Sequence, residues 1–293
     1  MEITAKTKIL NVFRSAFKIP ALEKALLTVT NNQSTESFFV KLIPNNYQYQ
    51  PETYRFIKRN GITFKVDLYD YMGWLIYFGL KDEGRLKLYE LIKDKKDAVI
   101  LDVGTNIGET LLNFARLAPN GNVHGFEPDP LNHSRCCENL KLNSFTNIQL
   151  NNLGLGSEKG DYFIKVNTPS NRGGNKISAT FIENNTQIVN IITLDQYVES
   201  KQLHKIDLIK IDVEGYELNV LKGGKQTLSA FKPVLFIELD DNNLKEQGHS
   251  AKELIRFVKQ FNYQVHHAET NQLITESADF TNCHYDIICK AAH

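Results

Sequence analysis

From Asp97 onward the chain alternates short apolar runs with segments of helical periodicity. Runs such as AVILDV at 98–103 are typical of strands that are buried on both faces. Strand, helix, strand, helix and strand follow in order up to residue 150, and the same rhythm resumes after residue 192. This alternation predicts an α/β fold with a mostly parallel, doubly wound sheet of the Rossmann-like type.

Two stretches interrupt the rhythm. Tyr162–Val166 and Ile188–Ile192 are predicted strands, and the polar loop between them includes PSNRGGNKIS at 169–178. That glycine-rich segment is interpreted either as a lid over a substrate or as a plain hairpin loop. The last two predicted strands, 263–267 and 285–289, have no long helix between them, which predicts an antiparallel C-terminal edge strand.

Residues 1–95 predict an α+β extension or cap that precedes a main domain at 96–293. Helical patterning covers 1–30 and is broken at Pro20. Phe38–Ile43 is a predicted short strand that ends at a proline. Asn60-Gly61 lies between two strand-like runs, and because both residues tolerate positive φ, it predicts a β-hairpin.

The first helix is amphipathic. Ile9, Phe13 and Phe17 recur at helical spacing, with basic residues elsewhere on the surface of the helix. The expected arrangement packs this apolar face on the helix's own domain. The alternative is a helix that binds weakly at a membrane surface.

The motif LDVGTNIG stands where the first buried strand gives way to a helix. Gly104 permits a tight turn with close approach of a ligand, and Gly108 permits close packing of helix on strand. A nicotinamide dinucleotide fingerprint reads GxGxxG, but Asn106 occupies the middle glycine position here, and Asp102 precedes the first glycine. A carboxylate suits the cationic methionine end of S-adenosylmethionine better than a pyrophosphate, so the motif favours S-adenosylmethionine.

Two later strand ends supply further candidates for cofactor binding. Glu127 ends the second strand, about 20 residues beyond the loop, where an acid grips ribose hydroxyls. Pro128 fixes the turn that follows it. The segment after the third strand is expected to line the adenine, with Asn152 and Leu155 as candidates.

Carboxylates cluster at the ends of the fourth and fifth strands. Asp212 and Glu214 follow one strand, and Glu238 ends the next. Because these ends meet at one edge of a parallel sheet, the three acids are predicted catalytic residues, acting as general base, hydroxyl ligand or metal ligand. Glu217 is expected on a helix surface.

The same segment bears on the methyl acceptor. Enzymes that methylate amino groups of bases often carry [DNS]PP[YF] after the fourth strand, and that motif is absent here. A hydroxyl acceptor gains from a carboxylate that removes its proton during transfer. The pattern therefore favours a hydroxyl over an amino group.

Composition excludes several classes. Lys plus Arg equals Asp plus Glu, so no basic field is present to attract nucleic acid. No run approaches the ~20 apolar residues of a membrane span. The four cysteines form no CxxC pair, so a zinc site and a disulfide framework are not expected. These features predict a cytoplasmic protein with reduced thiols.

The motifs together resemble one family. ILDVGTNIGET, FEPDP, LGLGSEKG, TLDQYV, IKIDVEGYELNVLKGG and VLFIELD occur in the order and spacing of FkbM-type S-adenosylmethionine-dependent methyltransferases, over about residues 65–290. IDVEGYE followed by LKGG is the most discriminating piece. Two departures are that Thr105 stands where alanine is usual, and that no histidine follows soon after Glu238.

The resemblance implies a class I methyltransferase fold with a seven-stranded sheet. It also implies O-methylation of a sugar, glycan or secondary metabolite, with S-adenosylhomocysteine as the product. By similarity, the loop from Asp102 through Thr105 to Gly108 binds S-adenosylmethionine, and Glu127 binds its ribose. A divalent metal is possible but has no support, and no metal ligand is assigned.

Three alternatives remain from the sequence. The chain could be a nicotinamide-dependent oxidoreductase, a nucleic-acid methyltransferase or a non-catalytic module of the same fold. The expected partner is a small-molecule or glycan hydroxyl acceptor, with neither nucleic acid nor a transmembrane segment. The sequence assigns no oligomeric state.

Overall fold

The computed structural model describes residues 5–34, 36–178 and 186–292. The described residues form two compact units: an N-terminal unit of residues 1–82 with 168–173, and a sheet unit that holds the remainder. Helix α4 (Glu83–Glu90) belongs to the sheet unit. The predicted domain boundary between residues 95 and 96 stays a prediction.

The N-terminal unit consists of helices around a hairpin. Its elements are α1 (Ala5–Ala16), α2 (Pro20–Thr30), β1 (Tyr54–Arg59), β2 (Ile62–Asp67) and α3 (Tyr71–Phe78). The predicted hairpin is present, since β1 and β2 pair antiparallel. Asn60 and Gly61 both have positive φ, 51° and 84°, which explains why the turn forms at these residues. Pro20 begins α2, so the predicted break is also present.

Two expectations for the N-terminal unit are wrong. Phe38–Ile43 forms no strand; its central residues Val40–Leu42 are a 3₁₀ turn. The buried residues there, Val40 and Ile43, are spaced by three, which is the period of a 3₁₀ turn rather than that of a strand. The apolar face of α1 is mostly uncovered rather than packed on its own domain, because Ile9 and Phe13 are exposed and Phe17 is only half-buried.

The sheet unit contains most of the secondary structure. After α4 its elements are β3 (Val99–Val103), α5 (Glu109–Leu117), β4 (Asn122–Phe126), α6 (Pro130–Lys141), β5 (Ile148–Asn151), β6 (Gly154–Leu155), β7 (Gly160–Lys165), β8 (Lys176–Ser178), β9 (Thr186–Ile192), α7 (Leu194–Ser200), β10 (Leu208–Ile211), α8 (Glu217–Lys222), α9 (Lys225–Phe231), β11 (Val234–Asp240), α10 (Asp241–Glu246), α11 (Ala251–Gln260), β12 (Tyr263–His267) and β13 (His284–Ala291). Among all described helices, none combines the length and hydropathy that a membrane crossing requires.

The described residues form a seven-stranded sheet in the order β12-β13-β11-β10-β3-β4-β5. Strands β5, β4, β3, β10 and β11 run parallel, which confirms the predicted α/β class. The C-terminal strand β13 is antiparallel to both neighbours, as expected, but it is not the edge strand. It lies between β11 and β12 and pairs with both, so that β12 is the edge strand.

The chain reverses its direction of travel across the sheet between β3 and β10. From β3 it proceeds outward through β4 and β5, and it later returns to β10 on the other side of β3. In open α/β sheets, ligands bind beyond the carboxyl ends of the strands at such a switch point. The tips of β3, β4, β10 and β11 therefore define the functional edge.

Alternate residues of the central strands enter opposite layers of the core. Leu101 and Ile209 pack on one side of the sheet, and Ile100 and Leu208 pack on the other. Both layers are buried, which is why these strands read as continuous apolar runs. A second sheet has the order β6-β9-β7-β8 and accounts for the interruption at residues 157–192.

One buried histidine should make stability depend on pH. His124 lies in β4 with 6% of its surface exposed, and its Nδ1 is 2.8 Å from the Tyr197 hydroxyl. Burial, followed by the charge of Lys201, lowers the pKa of His124 to about 4. The unfolded chain then binds a proton below pH ~6.5 that the folded chain does not bind.

We expect His124 to remove up to about 3 kcal/mol from the free energy of unfolding as the pH falls from 7.5 to 4. The variant His124→Gln lacks this titrating group, so its free energy of unfolding should fall less over the same pH range. Urea unfolding at several pH values measures both slopes, and the other titrating groups cancel in the difference. Parallel slopes for the two proteins would contradict the assignment.

Candidate active site

The loop between β3 and α5 turns through three residues with left-handed backbone conformation. Gly104, Asn106 and Gly108 have φ values of 84°, 52° and 91°. A Cβ on Gly104 would lie 1.9 Å from the carbonyl oxygen of Asp212, and one on Gly108 would lie 2.7 Å from Cys136 Sγ. Both distances are too short for any side chain, so glycine is required, and the loop lies directly against the tip of β10.

The polar side chains of this loop are buried. Asp102 Oδ2 accepts a hydrogen bond of 2.6 Å from the Thr110 hydroxyl, and Thr105 Oγ1 donates to the Asp102 carbonyl at 2.9 Å. Asp102 is 0% exposed and Thr105 2%. Asp102 Oδ1 and Asn106 Oδ1 are buried without a hydrogen-bond partner. Asn106 Oδ1 is thus an unsatisfied acceptor beside the switch point, whereas Asp102 Oδ1 has an ion-pair partner, Lys210 Nζ, at 3.5 Å.

Lys210, which is not among the predicted site residues, links this loop to the acidic tip of β10. Its Nζ donates to the Gly104 carbonyl at 2.9 Å, and lies 3.1 Å from Asp212 Oδ2 and 3.5 Å from Asp102 Oδ1. In the sheet, Lys210 is the register partner of Asp102, so both side chains leave the same face. The available signal was a lysine inside an apolar parallel strand, LIKI.

The charges around Lys210 and Asp102 oppose the cost of burial. Burial lowers the pKa of Lys210, but the carboxylates of Asp212 and Asp102 outweigh that effect and hold the pKa above its usual range. Burial raises the pKa of Asp102, and the Lys210 ammonium and the Thr110 hydroxyl oppose the rise. Lys210 is therefore a permanent cation between two acids.

Glu127, predicted to bind ribose, ends β4 beside the same loop. It is 5% exposed, and its two carboxyl oxygens accept backbone N–H groups of Asn106 at 2.7 Å and Asp129 at 2.9 Å. Burial raises its pKa to about 8, against those two hydrogen bonds. Asn152 Nδ2 donates to the carbonyls of Glu127 and Pro128, so this predicted site residue braces the turn.

The turn after β10 brings two predicted catalytic acids to the functional edge. The Asp212 side chain is 42% exposed, the most open of the acids described here. Glu214 has a φ of 56° and accepts a hydrogen bond of 2.9 Å from Asn243 Nδ2. Gly215 follows with a φ of 99°, and a Cβ there would lie 2.3 Å from the Asn243 carbonyl oxygen. The start of α10 thus fixes the position of Glu214.

Glu217 is not a surface residue, and that expectation is wrong. It is 1% exposed, and its Oε1 accepts the backbone N–H groups of Val213 at 3.1 Å and Gly215 at 3.0 Å. Burial raises its pKa to about 7. The side chain folds back over the preceding turn at the start of the helix, which helical periodicity does not reveal.

Three predicted catalytic acids meet at one point. Oxygens of Asp212, Glu214 and Glu238 lie within 4.8 Å of one another. Burial, then the charges of Asp212 and Glu217, raises the pKa of Glu214 to about 7. Burial and the same neighbouring charges raise the pKa of Glu238 well above its usual range. Such a cluster retains a proton at neutral pH, and its oxygens are also of the type that hold Mg²⁺ or Ca²⁺.

Two other predicted features lie elsewhere. Leu155 in β6 is 1% exposed, and its side chain packs in the core rather than on an open surface. The segment 169–178 is more ordered than a plain loop: residues 172–174 form a 3₁₀ turn, and Lys176–Ser178 is β8, which pairs with β7. Its role as a lid stays a prediction.

A family model described as the methyltransferase FkbM domain matches residues 102–265, more than half of the chain. The match begins at Asp102 and includes Glu127 and the acidic cluster. This chain belongs to the FkbM methyltransferase family. The fold agrees, with a seven-stranded, mostly parallel sheet of the class I methyltransferase order.

Named relatives of this FkbM protein include two methyltransferases. The hexuronic acid methyltransferase AglP of Haloferax volcanii is 34% identical over 157 residues, which are 54% of this chain and 61% of the relative. The 2-O-methyltransferase NoeI of Sinorhizobium fredii is 29% identical over 170 residues, 52% of this chain and 68% of the relative. A solved FkbM methyltransferase from Methylobacillus flagellatus shares 19% identity at a TM-score of 0.44, covering 66% of this chain and 44% of that chain.

The buried Lys210–Asp102 pair gives a testable expectation. Lys210→Met should lower the free energy of unfolding by about 3–5 kcal/mol, because it leaves a buried carboxylate without its countercharge. The double variant Asp102→Asn with Lys210→Met should regain part of that loss, because neither charge remains. Chemical denaturation of the wild type, the single variants Lys210→Met and Asp102→Asn, and the double variant completes the double-mutant cycle.

Lys87→Met is the matched control, since Lys87 forms a partly exposed pair with Glu90 on one helix. It should leave stability nearly unchanged. Additive losses in the Lys210 and Asp102 variants would contradict a direct interaction between the two buried charges.

Proposed function

We propose that this FkbM protein transfers the methyl group of S-adenosylmethionine to a hydroxyl group of a sugar or glycan. One observation carries the proposal: the acids Asp212, Glu214 and Glu238 converge within 4.8 Å beside the glycine loop. A site that accepts a hydroxyl proton thus stands next to the loop that would hold the methyl donor. Bound S-adenosylmethionine would supply a methyl group on a positively charged sulfur, already activated for in-line displacement.

The residues at the switch point fit that cofactor. The β3–α5 loop offers the Asn106 Oδ1, which has no hydrogen-bond partner, next to the Asp102 carboxylate, and oxygens of this kind suit a ligand that carries an ammonium group. Glu127 stands at the tip of the next strand, where ribose hydroxyls are bound in this architecture. Its two accepted backbone hydrogen bonds fix the carboxyl group and leave lone pairs for hydroxyl donors.

Glu214 is the proposed general base. Its pKa of about 7 lies where proton transfer to a carboxylate is most efficient near neutral pH. Asn243 fixes one of its oxygens, which leaves the other to accept the acceptor's hydroxyl proton. Asp212, the more exposed acid, would accept a second hydrogen bond and orient the acceptor, with its charge balanced by Lys210.

Glu238 would support this arrangement in its protonated form. With its pKa raised well above the usual range, it can donate a hydrogen bond within the cluster without adding a third negative charge. A divalent cation is the alternative way to neutralise the same acids. Turnover that survives a chelator would favour the protonated form.

The acceptor class is proposed from the relatives. AglP is named for hexuronic acid and NoeI for 2-O-methylation, so uronic acids and hexose-containing oligosaccharides are the first acceptors to screen. The second candidate function is a nicotinamide-dependent oxidoreductase on the same fold. The loop argues against it, because Asn106 replaces the middle glycine of the dinucleotide fingerprint.

Calorimetric titration tests the cofactor. S-adenosylhomocysteine should bind at micromolar concentration, whereas NAD and NADH should not. Glu127→Gln should weaken the binding of S-adenosylhomocysteine about 10- to 100-fold, because an amide cannot accept both backbone hydrogen bonds and ribose hydroxyls. Glu199→Gln, on an exposed face of α7, is the control and should bind like the wild type.

Retention of affinity in Glu127→Gln would remove the ribose role. Binding of NAD in place of S-adenosylhomocysteine, by a folded protein freed of copurified ligand, would overturn the central proposal.

Kinetics test the base. With an acceptor found by screening, kcat should rise with pH through about 7, as Glu214 loses its proton. Glu214→Gln should lose about 100-fold or more in kcat, together with that limb of the profile. Asp212→Asn should also lower turnover, but its kcat should still rise with pH through about 7. Both variants should still bind S-adenosylhomocysteine.

Glu269→Gln is the matched control, because Glu269 is exposed and is not one of the proposed site residues. It should leave turnover and its pH profile unchanged. Undiminished kcat in Glu214→Gln would rule out this residue as the base. Loss of the pH limb in Asp212→Asn alone would transfer the role to Asp212.

A further inference from the structure

Helix α1 turns its polar face inward. Arg14 Nε donates to the Lys41 carbonyl at 2.8 Å, Gln48 Nε2 donates to the carbonyl of Asn11 at 2.9 Å, and Gln48 also reaches the Ser15 hydroxyl at 3.2 Å. At about 100° per residue, positions 11, 14 and 15 share one face of the helix. These contacts fix which side of α1 faces the rest of the N-terminal unit.

The opposite face of α1 is apolar and uncovered. Ile9, Val12 and Phe13 are 62%, 73% and 67% exposed, and Ala16 continues the stripe. Their i, i+3, i+4, i+7 spacing places them about half a turn from the bonded face. A helix packed for its own stability buries its apolar side, so this inverted orientation needs another explanation.

A second exposed apolar group lies on the segment that α1 bonds. Phe38 and Phe39 are 69% and 48% exposed and pack edge to face with ring centroids 5.7 Å apart. They are close in sequence to Lys41, whose carbonyl Arg14 binds. The N-terminal unit therefore exposes several large apolar side chains from two neighbouring segments.

Charge identifies the kind of surface that suits these side chains. The whole chain has a formal net charge of zero. Residues 1–41 nevertheless contain six Lys and Arg against three Glu. Of those acids, Glu23 is buried and paired with Arg55, and Glu36 is exposed. Lys8, Lys24 and Lys41 are exposed. The segment that contains the apolar stripe thus carries an excess of basic residues.

The size of the stripe argues against a second copy as its occupant. A twelve-residue helix is about 18 Å long and about 10 Å wide, so one face covers roughly 200 Å². A stable dimer buries about 800 Å² on each partner. An amphipathic helix at a lipid surface needs no matching protein surface, since each inserted side chain contributes separately.

We propose that α1, with Phe38 and Phe39, docks the N-terminal unit on an anionic membrane surface. Ile9, Val12 and Phe13 would enter the boundary between headgroups and acyl chains, and the exposed lysines would contact anionic headgroups. Binding should be reversible and weakened by salt, because the charged contribution is screened.

Vesicle co-sedimentation of the full chain tests the proposal. The wild type should bind vesicles that contain phosphatidylglycerol more tightly than vesicles of phosphatidylcholine alone, and less tightly in high salt. The triple variant Ile9→Asn, Val12→Ser, Phe13→Ser should lose at least about tenfold in vesicle affinity. Its thermal midpoint and its affinity for S-adenosylhomocysteine should match the wild type.

Ile188→Ser is the matched control, because Ile188 is 68% exposed in the sheet unit. It should bind vesicles as the wild type does. Equal vesicle binding by the wild type and the triple variant, or none by either, would overturn the proposal. So would a wild-type dimer in solution that the triple variant dissociates, since the face would then join two copies.

Discussion

A single buried cation holds the functional edge of the sheet together. Lys210 stands between Asp102 and Asp212 and also binds the Gly104 carbonyl, so one side chain contacts the glycine loop and the acidic tip at once. The fully buried Asp102 carboxylate alone would be costly, and the Lys210 ammonium compensates its charge. The spacing between the glycine loop and the acidic tip of β10 is therefore fixed by the pairing of β3 with β10.

The sheet is well predicted from the sequence, because each of its central strands must meet the same requirement for apolar residues. Strands buried on both faces must be apolar throughout, and the glycines at 104 and 108 are imposed by close approach to neighbouring elements. The tips of parallel strands meet at one edge, so Asp212, Glu214 and Glu238 could be placed together before any coordinates were known. Their proximity in the structure follows from that rule.

What the sequence does not predict depends on side-chain direction. Lys210 is a charge inside a buried strand whose partner Asp102 lies far along the chain, and Glu217 is buried because its side chain folds back over the preceding turn. The predicted orientation of helix α1 is wrong for a related reason. Helical periodicity shows that the helix has an apolar and a polar face, but it does not show which face points inward. The hydrogen bonds that α1 forms with the Lys41 carbonyl and the Gln48 side chain determine which face points inward.

The position of β13 determines when the sheet can be completed during synthesis of the chain. Within the described residues, β12 pairs with β13, and β13 also pairs with β11. During synthesis, α11 and β12 leave the ribosome before the strand that connects them to the sheet exists. At about 5–20 residues per second, an open strand edge persists until residues 284–291 emerge. Closing the sheet is thus a late, long-range step, and the nascent domain exposes β11 in the meantime.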